Sequence, residues 1–197
     1  LRSVFDFEPG VTGTAAMTGV INDHGAWFFV DTHVQLDPTA EQIAEATLMA
    51  SYRLKLFGIE PKVALLSHSN FGSHQDASAL KMRRAFEIIR ARMPKLEIDG
   101  EMMADTAWDE ALRQRIFPNT RLKGRANLLV MPNLDAANIG YNMIRVATGG
   151  VAIGPILMGL DQPAHILTPA SSSRRVVNMT AIVAVEAQIR AAMTIAK

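Results

Sequence analysis

Apolar residues recur along this chain either in short unbroken runs or at a helical spacing. Between residues 40 and 57 the spacing is helical, with apolar side chains at Ile43, Ala46, Ala50, Leu54 and Phe57. Thr39 followed by Gln42 forms a capping box before this stretch, and Gly58 stands just past its end. These signals predict an amphipathic helix over residues 40–57.

Short apolar runs and helical stretches alternate through the rest of the chain. The runs predict strands at 26–30, 63–66, 96–98, 127–131 and 151–156. The stretches between and after them predict helices at 76–93, 105–116, 135–147 and 173–195. Strands that alternate with helices are typical of a parallel sheet covered on both faces. We therefore predict an α/β fold, a three-layer α/β/α sandwich with a largely parallel sheet.

Composition and charge exclude several classes of partner. Hydrophobic residues make up 49% and charged residues 20% of the 197 residues, the balance of a folded globular domain. Lys and Arg number 20 against 19 Asp and Glu, so overall charge does not favour nucleic acid, and an anionic ligand needs a local cluster of cations. No stretch approaches the roughly 20 uncharged apolar residues that span a bilayer. We expect neither a nucleic-acid nor a membrane partner.

Residue usage also bears on location and on metals. Cysteine is absent, which excludes disulfides, cysteine nucleophiles and thiolate metal sites and fits the cytoplasmic location that we expect. No two histidines have metal-ligand spacing, and Gly149-Gly150 precedes a predicted strand rather than following one. We therefore expect no metal and no cofactor in this domain. Because the chain begins with Leu1 and shows no signal-peptide pattern, we interpret it as a segment of a longer protein.

Three predicted loops leave the carboxyl ends of strands, where open α/β sheets bind their ligands. They span residues 67–74, 132–138 and 154–173. The candidate ligand-binding residues in the first two loops and at the start of the third are Ser67, Asn70, Ser73, Asn133, Asn138 and Gly154. The first loop is rich in hydroxyls and amides and leads into a helix, so its free amides suit a phosphate or a carbonyl. The alternative is a solvated loop that only caps this helix.

Seven segments resemble, in order and spacing, the phosphate acetyltransferase (phosphotransacetylase) family. The likeness runs from about residue 26 to the end and rests on residues 29–32, 37–42, 58–67, 94–101, 126–134, 137–141 and 154–160. Within the family, a version with Thr168-Pro169 and the pair Arg174-Arg175 looks like the C-terminal phosphotransacetylase-like domain of bacterial NADP-dependent malic enzymes of the hybrid type. In the family the segment Asn138-Ile139-Gly140-Tyr141 lines the ligand cleft, which makes Tyr141 a further candidate binding residue.

The segment from Leu157 to Asn178 resembles the family's active site with its chemistry removed. The family's Ser-Arg pair falls on Thr168-Pro169, and the Asp that serves as base toward the thiol of coenzyme A falls on Arg175. Pro169 has no donor for a phosphate, and Arg175 cannot accept a proton. Asn142 stands where the family usually has a Lys, which removes a charge-assisted contact. The resemblance therefore implies no catalytic residue in this chain.

Two interpretations of Arg174 and Arg175 remain open at this point. Both stand near the start of a predicted helix, where the helix dipole disfavours cations unless an anion compensates. With Thr168 they form a candidate site for the phosphates of coenzyme A. Alternatively, they are surface arginines paired with Asp161 or Glu186.

The resemblance also implies a domain organisation. Family members have two lobes around a cleft, and the last helix returns to the first lobe. By this comparison residues 1–25 are a lead-in that completes the lobe, residues 26–165 form the second lobe, and residues 166–197 return to the first lobe. A homodimer through this lobe, and a higher homo-oligomer of the parent enzyme, are implied as well.

The function that we expect is regulatory. A catalytically inactive phosphotransacetylase-like domain of a malic enzyme would bind acetyl-CoA as an allosteric inhibitor of the oxidative decarboxylation of malate to pyruvate. NADP and a divalent metal are then expected in the parent's other domain. The first alternative is a working phosphate acetyl- or butyryltransferase that uses a substitute base such as His165. The second is an oligomerisation scaffold without a ligand.

Overall fold

One mixed sheet forms the centre of the computed structural model, which describes residues 5–169 and 171–195. The strands are β1 (Ala15–Asn22), β2 (Gly25–Val30), β3 (Lys62–Leu66), β4 (Glu97–Met102), β5 (Leu128–Val130) and β6 (Val151–Met158). Their order across the sheet is β4-β3-β5-β2-β1-β6. The pairs β4-β3, β3-β5 and β5-β2 are parallel, whereas β1 is antiparallel to both β2 and β6. The prediction of a largely parallel sheet is confirmed.

Six helices flank this sheet in the described part of the chain. They are α1 (Ala40–Leu56), α2 (Ala77–Arg92), α3 (Ala104–Trp108), α4 (Glu110–Ile116), α5 (Leu134–Ala147) and α6 (Ser173–Ile195). The capping box at the start of α1 is present, with Thr39 and Gln42 each bonded to the backbone of the other. The prediction of one helix over residues 105–116 was wrong. Asp109 ends α3 in an extended conformation and caps α4 by accepting a hydrogen bond from Leu112 N, because a short polar side chain competes for backbone amides.

Strand β1 lies inside the segment that the sequence showed only as a lead-in. It pairs with β2 through a tight hairpin, in which the His24 amide donates to Asn22 Oδ1, and it separates β2 from β6. Its first six residues are buried without alternation, because helices cover the sheet on both sides. Gly19 leaves room for a neighbour, since a Cβ there would lie 2.9 Å from Phe28 Cε1. Ala15, Ala16 and Gly19 therefore interrupt the β-branched pattern by which strands are usually recognised.

The helices cover the sheet in two layers, which confirms the three-layer sandwich. On one face α1 and α2 enclose a core that includes Phe28, Leu65 and Met82. On the other face α3 and α5 cover a second core around Phe29 and Tyr141. The two cores share no residue, because side chains alternate between the faces of a strand.

Helix α6 packs along the edge strand β6 and reaches the layer of α1. Met179 is buried in the first core, and Glu186 forms a buried ion pair with Arg53 of α1 at 2.8 Å. The opposite side of the helix is open, with Val177 66% and Val185 48% exposed. The contacts with β6 and α1 thus fix the start of α6 beside the sheet, where the candidate site lies.

Candidate functional site

A cavity of about 310 Å³ lies between α5, the start of α6 and the middle of β6. Four of the predicted site residues line it together: Asn138, Tyr141, Thr168 and Arg175. The lining is completed by His33, Asn142, Arg145 and Ala152. The structure therefore brings together side chains from α5, from the loop after β6 and from α6 that are far apart in sequence.

A second cavity of about 310 Å³ adjoins the first and shares Arg145, Ala152 and Arg175 with it. Its remaining lining residues are Gly150, Val151, Ser172, Arg174 and Asn178. We call the two cavities together the arginine site. Neither lining contains a carboxylate, so its three arginines have no acidic partner within the site. Such an arrangement favours a ligand with several negative charges.

Arg175 is held in place by a backbone group. Its Nε donates a hydrogen bond of 2.8 Å to the carbonyl oxygen of Gly154 in β6. Within the described residues its two terminal nitrogens have no hydrogen-bond partner, and they remain available to bind two oxygens of a ligand. Neither Arg174 nor Arg175 pairs with Asp161 or Glu186 in the described structure, and Glu186 pairs with Arg53 instead.

Gly154 is required where β6 departs from regular pairing with β1. The register between the two strands shifts at this point, and Gly154 has φ +102. A Cβ there would lie 2.8 Å from the carbonyl oxygen of Met17 and 2.9 Å from the amide nitrogen of Ile156. Gly154, which we predicted as a ligand-binding residue, lines neither cavity. Its role in the structure is a backbone role, because its carbonyl anchors Arg175 and its hydrogen atom permits the irregular strand.

Arg145 is a site residue that the sequence analysis missed. It lies one turn beyond Asn142, and its Nη2 is 3.5 Å from Asn142 Oδ1. Asn142 in turn donates to the carbonyl and the side-chain oxygen of Asn138. Asn142 stands where the resemblance implied a cation, and Arg145 supplies a cation three residues along the same helix. The i, i+3 spacing is the signal that could have identified it, because residues at this spacing are neighbours on a helix.

His33 is the second site residue that the sequence did not reveal. Its Nδ1 lies 2.9 Å from Thr32 Oγ1. Burial, followed by the charge of Arg175, lowers the pKa of His33 below its ordinary value. The adjacent carboxylate of Asp31 is turned to backbone amides and accepts from those of residues 33, 34 and 35. The site therefore contains a neutral imidazole and no free carboxylate.

Tyr141 forms the apolar wall of the site. Its ring meets the ring of Phe29 edge to face, with the centroids 6.0 Å apart. Burial raises the pKa of its hydroxyl, although the charges of Arg175 and Arg145 act in the opposite direction. Tyr141 therefore stays protonated at neutral pH and can donate a hydrogen bond to a ligand.

Thr168 and Pro169 lie at the open side of the site. The Thr168 amide donates to Ser171 Oγ at 3.1 Å, and both Thr168 and Pro169 are exposed. Position 170 lies outside the described residues. Pro169 has no donor for an anion, so the charged donors of the site are the arginines of α5 and α6. The Thr168 hydroxyl is exposed at the edge of the same cavity.

The loop after β3 is not part of the arginine site. Its predicted residues have internal partners: Ser67 Oγ accepts from the Ser69 amide, Ser73 Oγ from the Asn70 amide, and Asn70 Oδ1 from the Met103 amide. Four strand intervals separate β3 from β6, which corresponds to roughly 19 Å. A phosphate on the free amides of this loop stays a prediction that these contacts do not support.

Asn133 and His165 also lie outside the two linings. Asn133 caps α5 by accepting from the Ala136 amide at 2.9 Å. His165 is buried beside Glu186, with 3.5 Å between its Nε2 and Glu186 Oε2. Burial, followed by the charge of Arg53, lowers the pKa of His165 to about 4. A buried imidazole that lines neither cavity is not the substitute base of this site.

No cluster of three or more His, Asp or Glu side chains suited to a metal ion occurs among the described residues. Within the same residues no helix is long and apolar enough to cross a membrane.

The structure is thus a three-layer α/β lobe with an arginine-lined cavity that contains no carboxylate. The chain belongs to the family described as phosphate acetyl/butaryl transferase, whose model matches residues 1–184. The match begins at residue 1 rather than near residue 26, where we placed the start of the resemblance. Strand β1 is thus an integral part of the family's domain.

Among its relatives the chain is 51% identical over 189 residues to the NADP-dependent malic enzyme of Escherichia coli, covering 95% of this chain and 25% of that protein. It is 51% identical over 177 residues to the NAD-dependent malic enzyme of Rhizobium meliloti, covering 90% and 23%. The phosphate acetyltransferase of Paracoccus denitrificans is 43% identical over 163 residues, covering 82% and 51%. The chain thus spans about a quarter of the malic enzymes and half of this transferase.

Solved structures agree with this assignment. A phosphotransacetylase from Streptococcus pyogenes superimposes with a TM-score of 0.89 at 32% identity, covering 93% of this chain and 56% of that one. A branched-chain phosphotransacylase from Enterococcus faecalis superimposes with a TM-score of 0.74 at 18% identity, covering 93% and 66%. The second likeness shows the fold alone.

Proposed function

We propose that this chain is the regulatory, catalytically inactive phosphotransacetylase-like domain of a malic enzyme, and that it binds acetyl-CoA as an allosteric inhibitor. The parent reaction is the oxidative decarboxylation of malate to pyruvate. A nicotinamide dinucleotide, NADP by our sequence prediction, and a divalent metal belong to the parent's other domain. The malic enzymes at 51% identity support the choice of parent over the transferases, which share less sequence with this chain.

The single observation that carries the proposal is the position of Arg175. The family's base falls on this residue, and the structure holds its guanidinium against the Gly154 carbonyl, inside a cavity without carboxylates. An arginine cannot take the proton of a thiol, but it binds phosphate oxygens in a charge-assisted contact. The same position thus loses the chemistry of transfer and gains affinity for the phosphates of coenzyme A.

Arg145, Arg174 and Arg175 supply the positive charge that such a ligand needs. Arg145 and Arg175 line both cavities, and Arg174, which precedes Arg175 at the start of α6, lines the second. Three cations that converge without an acidic partner repel one another until an anion binds. Bound phosphates would therefore tie α5 to α6, and this tie would be the structural difference between the free and the inhibited enzyme.

A homodimer through this lobe is part of the proposal. The outward side of α5 carries an apolar stripe at i, i+4 and i+7, formed by Ile139, Met143 and Val146, which are 59%, 67% and 71% exposed. Apolar stripes of this kind are usually covered by a partner. We propose a second copy of this chain as that partner, because the symmetric use of one surface is the commonest mode of assembly. Effector binding to Arg145 of α5 would then reach the subunit interface.

Titration of the full-length parent enzyme with acetyl-CoA tests the binding part. We expect binding to the unmodified protein, and a loss of about tenfold or more in affinity for Arg145→Gln and for Arg174→Gln. Arg115→Gln, a change of an exposed arginine on α4 outside both linings, serves as matched control. Absence of acetyl-CoA binding would contradict the proposal and favour an oligomerisation scaffold without a ligand. Equal affinity in all four proteins would place the ligand elsewhere.

A working transferase is the second candidate function, and one observation favours it. His33 lines the arginine site with an imidazole that burial and Arg175 keep neutral, which is the protonation state of a general base. Release of free thiol from acetyl-CoA in the presence of phosphate measures this activity. Turnover that disappears in His33→Gln would support the transferase and contradict the regulatory proposal.

A further inference from the structure

A larger cavity lies at the other edge of the sheet from the arginine site. Its volume is about 560 Å³, within the usual range for small-molecule sites. It is bounded by α2, by the edge strand β4 and by the loop over residues 117–121. β4 is the first strand in the sheet and β6 the last, so nothing assigned to the arginine site contributes to it.

Three phenyl rings form the apolar part of this β4-edge cavity. Phe71 stacks on Phe117, with the ring centroids 4.3 Å apart and the planes at 15°, and Phe86 lies on α2 beside them. All three side chains are partly exposed. Phe71 adopts φ +46, a conformation that bulky residues rarely take and that is concentrated at binding sites. The rings offer a stacking surface for a planar ligand.

The carboxylates of the cavity are already occupied. Glu101 accepts hydrogen bonds from Ser69 Oγ, from the Gly72 amide and from Arg83. Burial alone would raise the pKa of Glu101, but these hydrogen bonds outweigh it and hold the pKa below its ordinary value. Asp99 accepts from the Gly100 amide, from Thr120 Oγ1 and from the Arg121 amide.

Glu87, the third acid of the lining, pairs with Arg84 outside the cavity at 3.2 Å. The carboxylates of Glu101 and Asp99, each of which accepts at least three hydrogen bonds, offer little to a cationic ligand.

Two arginines of the same cavity are not engaged. The guanidinium of Arg90 lies over the ring of Phe86, 5.7 Å from its centroid, and Arg90 Nε is buried without a hydrogen-bond partner. The exposed side chain of Arg121 has no hydrogen bond or ion pair with any described residue. The lining as a whole holds three arginines and three acids, so it carries no net charge. Arg90 and Arg121 are nevertheless cations without a hydrogen bond or ion pair among the described residues, and they stand beside an aromatic surface.

We propose that the β4-edge cavity binds a planar aromatic or heteroaromatic ring that carries an anionic group. The ring packs against the phenyl groups, and the anionic group, a phosphate or a carboxylate, receives hydrogen bonds from Arg90 and Arg121. The terminal nitrogens of Arg90 and Arg121, which have no hydrogen-bond partner among the described residues, are the donors available to that group.

An extended peptide added to the free edge of β4 fits the site less well. The pairing of β4 with β3 shifts register near Gly100, whose φ is +141, so the edge is irregular. Irregular edges of this kind prevent the addition of a further strand.

Titration calorimetry on the full-length protein, with adenosine 5′-monophosphate and benzoate as separate probes, tests the proposal. We expect at least one probe to bind at millimolar concentration, and the double variant Arg90→Gln/Arg121→Gln to weaken that binding by about tenfold or more. Arg92→Gln, on the same helix but outside the lining, is the matched control and should leave binding unchanged. Binding of the monophosphate alone would identify a phosphate ligand, and binding of benzoate would identify a carboxylate.

Two results would overturn the proposal: neither probe binds, or the double variant binds as tightly as the unmodified protein. Arg174→Gln separates this site from the arginine site, because it should leave probe binding intact. A loss in that variant instead would place the probe at the arginine site and also contradict the proposal. Acetyl-CoA binding is measured independently, so failure of either site is distinguishable from failure of the other.

Discussion

Arg175 Nε donates a hydrogen bond of 2.8 Å to the carbonyl oxygen of Gly154. This contact joins the first turn of α6 to the irregular middle of β6, at the position that our sequence analysis aligned with the family's acid. The guanidinium therefore has a fixed orientation before any ligand arrives. Preorganised donors bind anions at a lower entropic cost than mobile ones.

Gly154→Ala should destabilise the domain and disturb this anchor. The residue has φ +102, and its new Cβ would approach the Met17 carbonyl oxygen to 2.8 Å. Strained backbone conformations cost about 1 to 3 kcal/mol, and the overlap adds to this cost. Gly149→Ala is the matched control, because Gly149 also has positive φ but a Cβ there would meet no atom within 4 Å. Urea unfolding should give a clearly larger loss for Gly154→Ala; equal losses would show that the close contact is unimportant.

His165 should make the stability of the domain depend on pH. Burial, followed by the charge of Arg53, lowers its pKa from 6.5 to about 4, so between these values the unfolded chain binds more protons than the folded one. Stability from this group is therefore present above pH 6.5 and is lost as pH falls toward 4, by up to about 3 kcal/mol.

The variant His165→Gln separates the contribution of His165 from that of the neighbouring Glu186. Burial raises the pKa of Glu186, although the charges of Arg53 and Arg190 act in the opposite direction. The difference in unfolding free energy between the unmodified protein and the variant should grow from pH 4 to pH 6.5. If the difference grew as pH fell, His165 would be protonated in the folded state and paired with Glu186, contrary to this account.

Met143→Glu should separate the proposed dimer. Met143 is 67% exposed at the centre of the apolar stripe on α5, so a charge there would be buried at the interface without a partner. Light scattering should give twice the 21.5 kDa chain mass for the unmodified protein and a single chain mass for the variant. Leu80→Glu, a change of an exposed residue on α2, should leave the dimer intact. A monomeric unmodified chain at high concentration would contradict the dimer.

The order of strands and helices could largely be predicted because both faces of the sheet are covered. Buried strands then appear as short apolar runs, and α6 begins and ends where its spacing predicted. β1 was not predicted because Ala15, Ala16 and Gly19 interrupt its bulky residues, and Gly19 leaves room for Phe28, a neighbour that only the fold reveals. The break at Asp109 depends on a side chain that caps a helix instead of continuing one.

The only residues of the candidate site that could be predicted were those that the family resemblance identified. Thr168 and Arg175 were named from their alignment, and Asn138 and Tyr141 from the cleft segment, and these four residues meet in one cavity. Arg145 belongs to no motif, and only its spacing from Asn142 along α5 could have indicated it. His33 belongs to no motif either, and only the packing of α5 against β1 and β2 brings it to the same place. The loop after β3 looked suitable by composition, but its polar atoms serve internal hydrogen bonds.

The full-length protein should have no acetyl-phosphate:coenzyme A acetyltransferase activity. Neither a base at position 175 nor a phosphate donor at position 169 is present, and restoring one group alone does not rebuild the pair. Arg175→Asp should therefore remain inactive as well. Thiol release at the background rate in both proteins is the expected result, and turnover above background in the unmodified protein would refute the assignment as inactive.

The most direct test of the regulatory account is the inhibition of malate oxidation by acetyl-CoA in the full-length parent enzyme. We expect inhibition of the unmodified enzyme and a shift of about tenfold or more in the inhibitory concentration when Arg174 and Arg175 are both changed to Ala, with malate oxidation in the absence of acetyl-CoA unchanged. Unaltered inhibition in the double variant would remove these arginines from the effector site. Absence of inhibition in the unmodified enzyme would contradict the regulatory function itself.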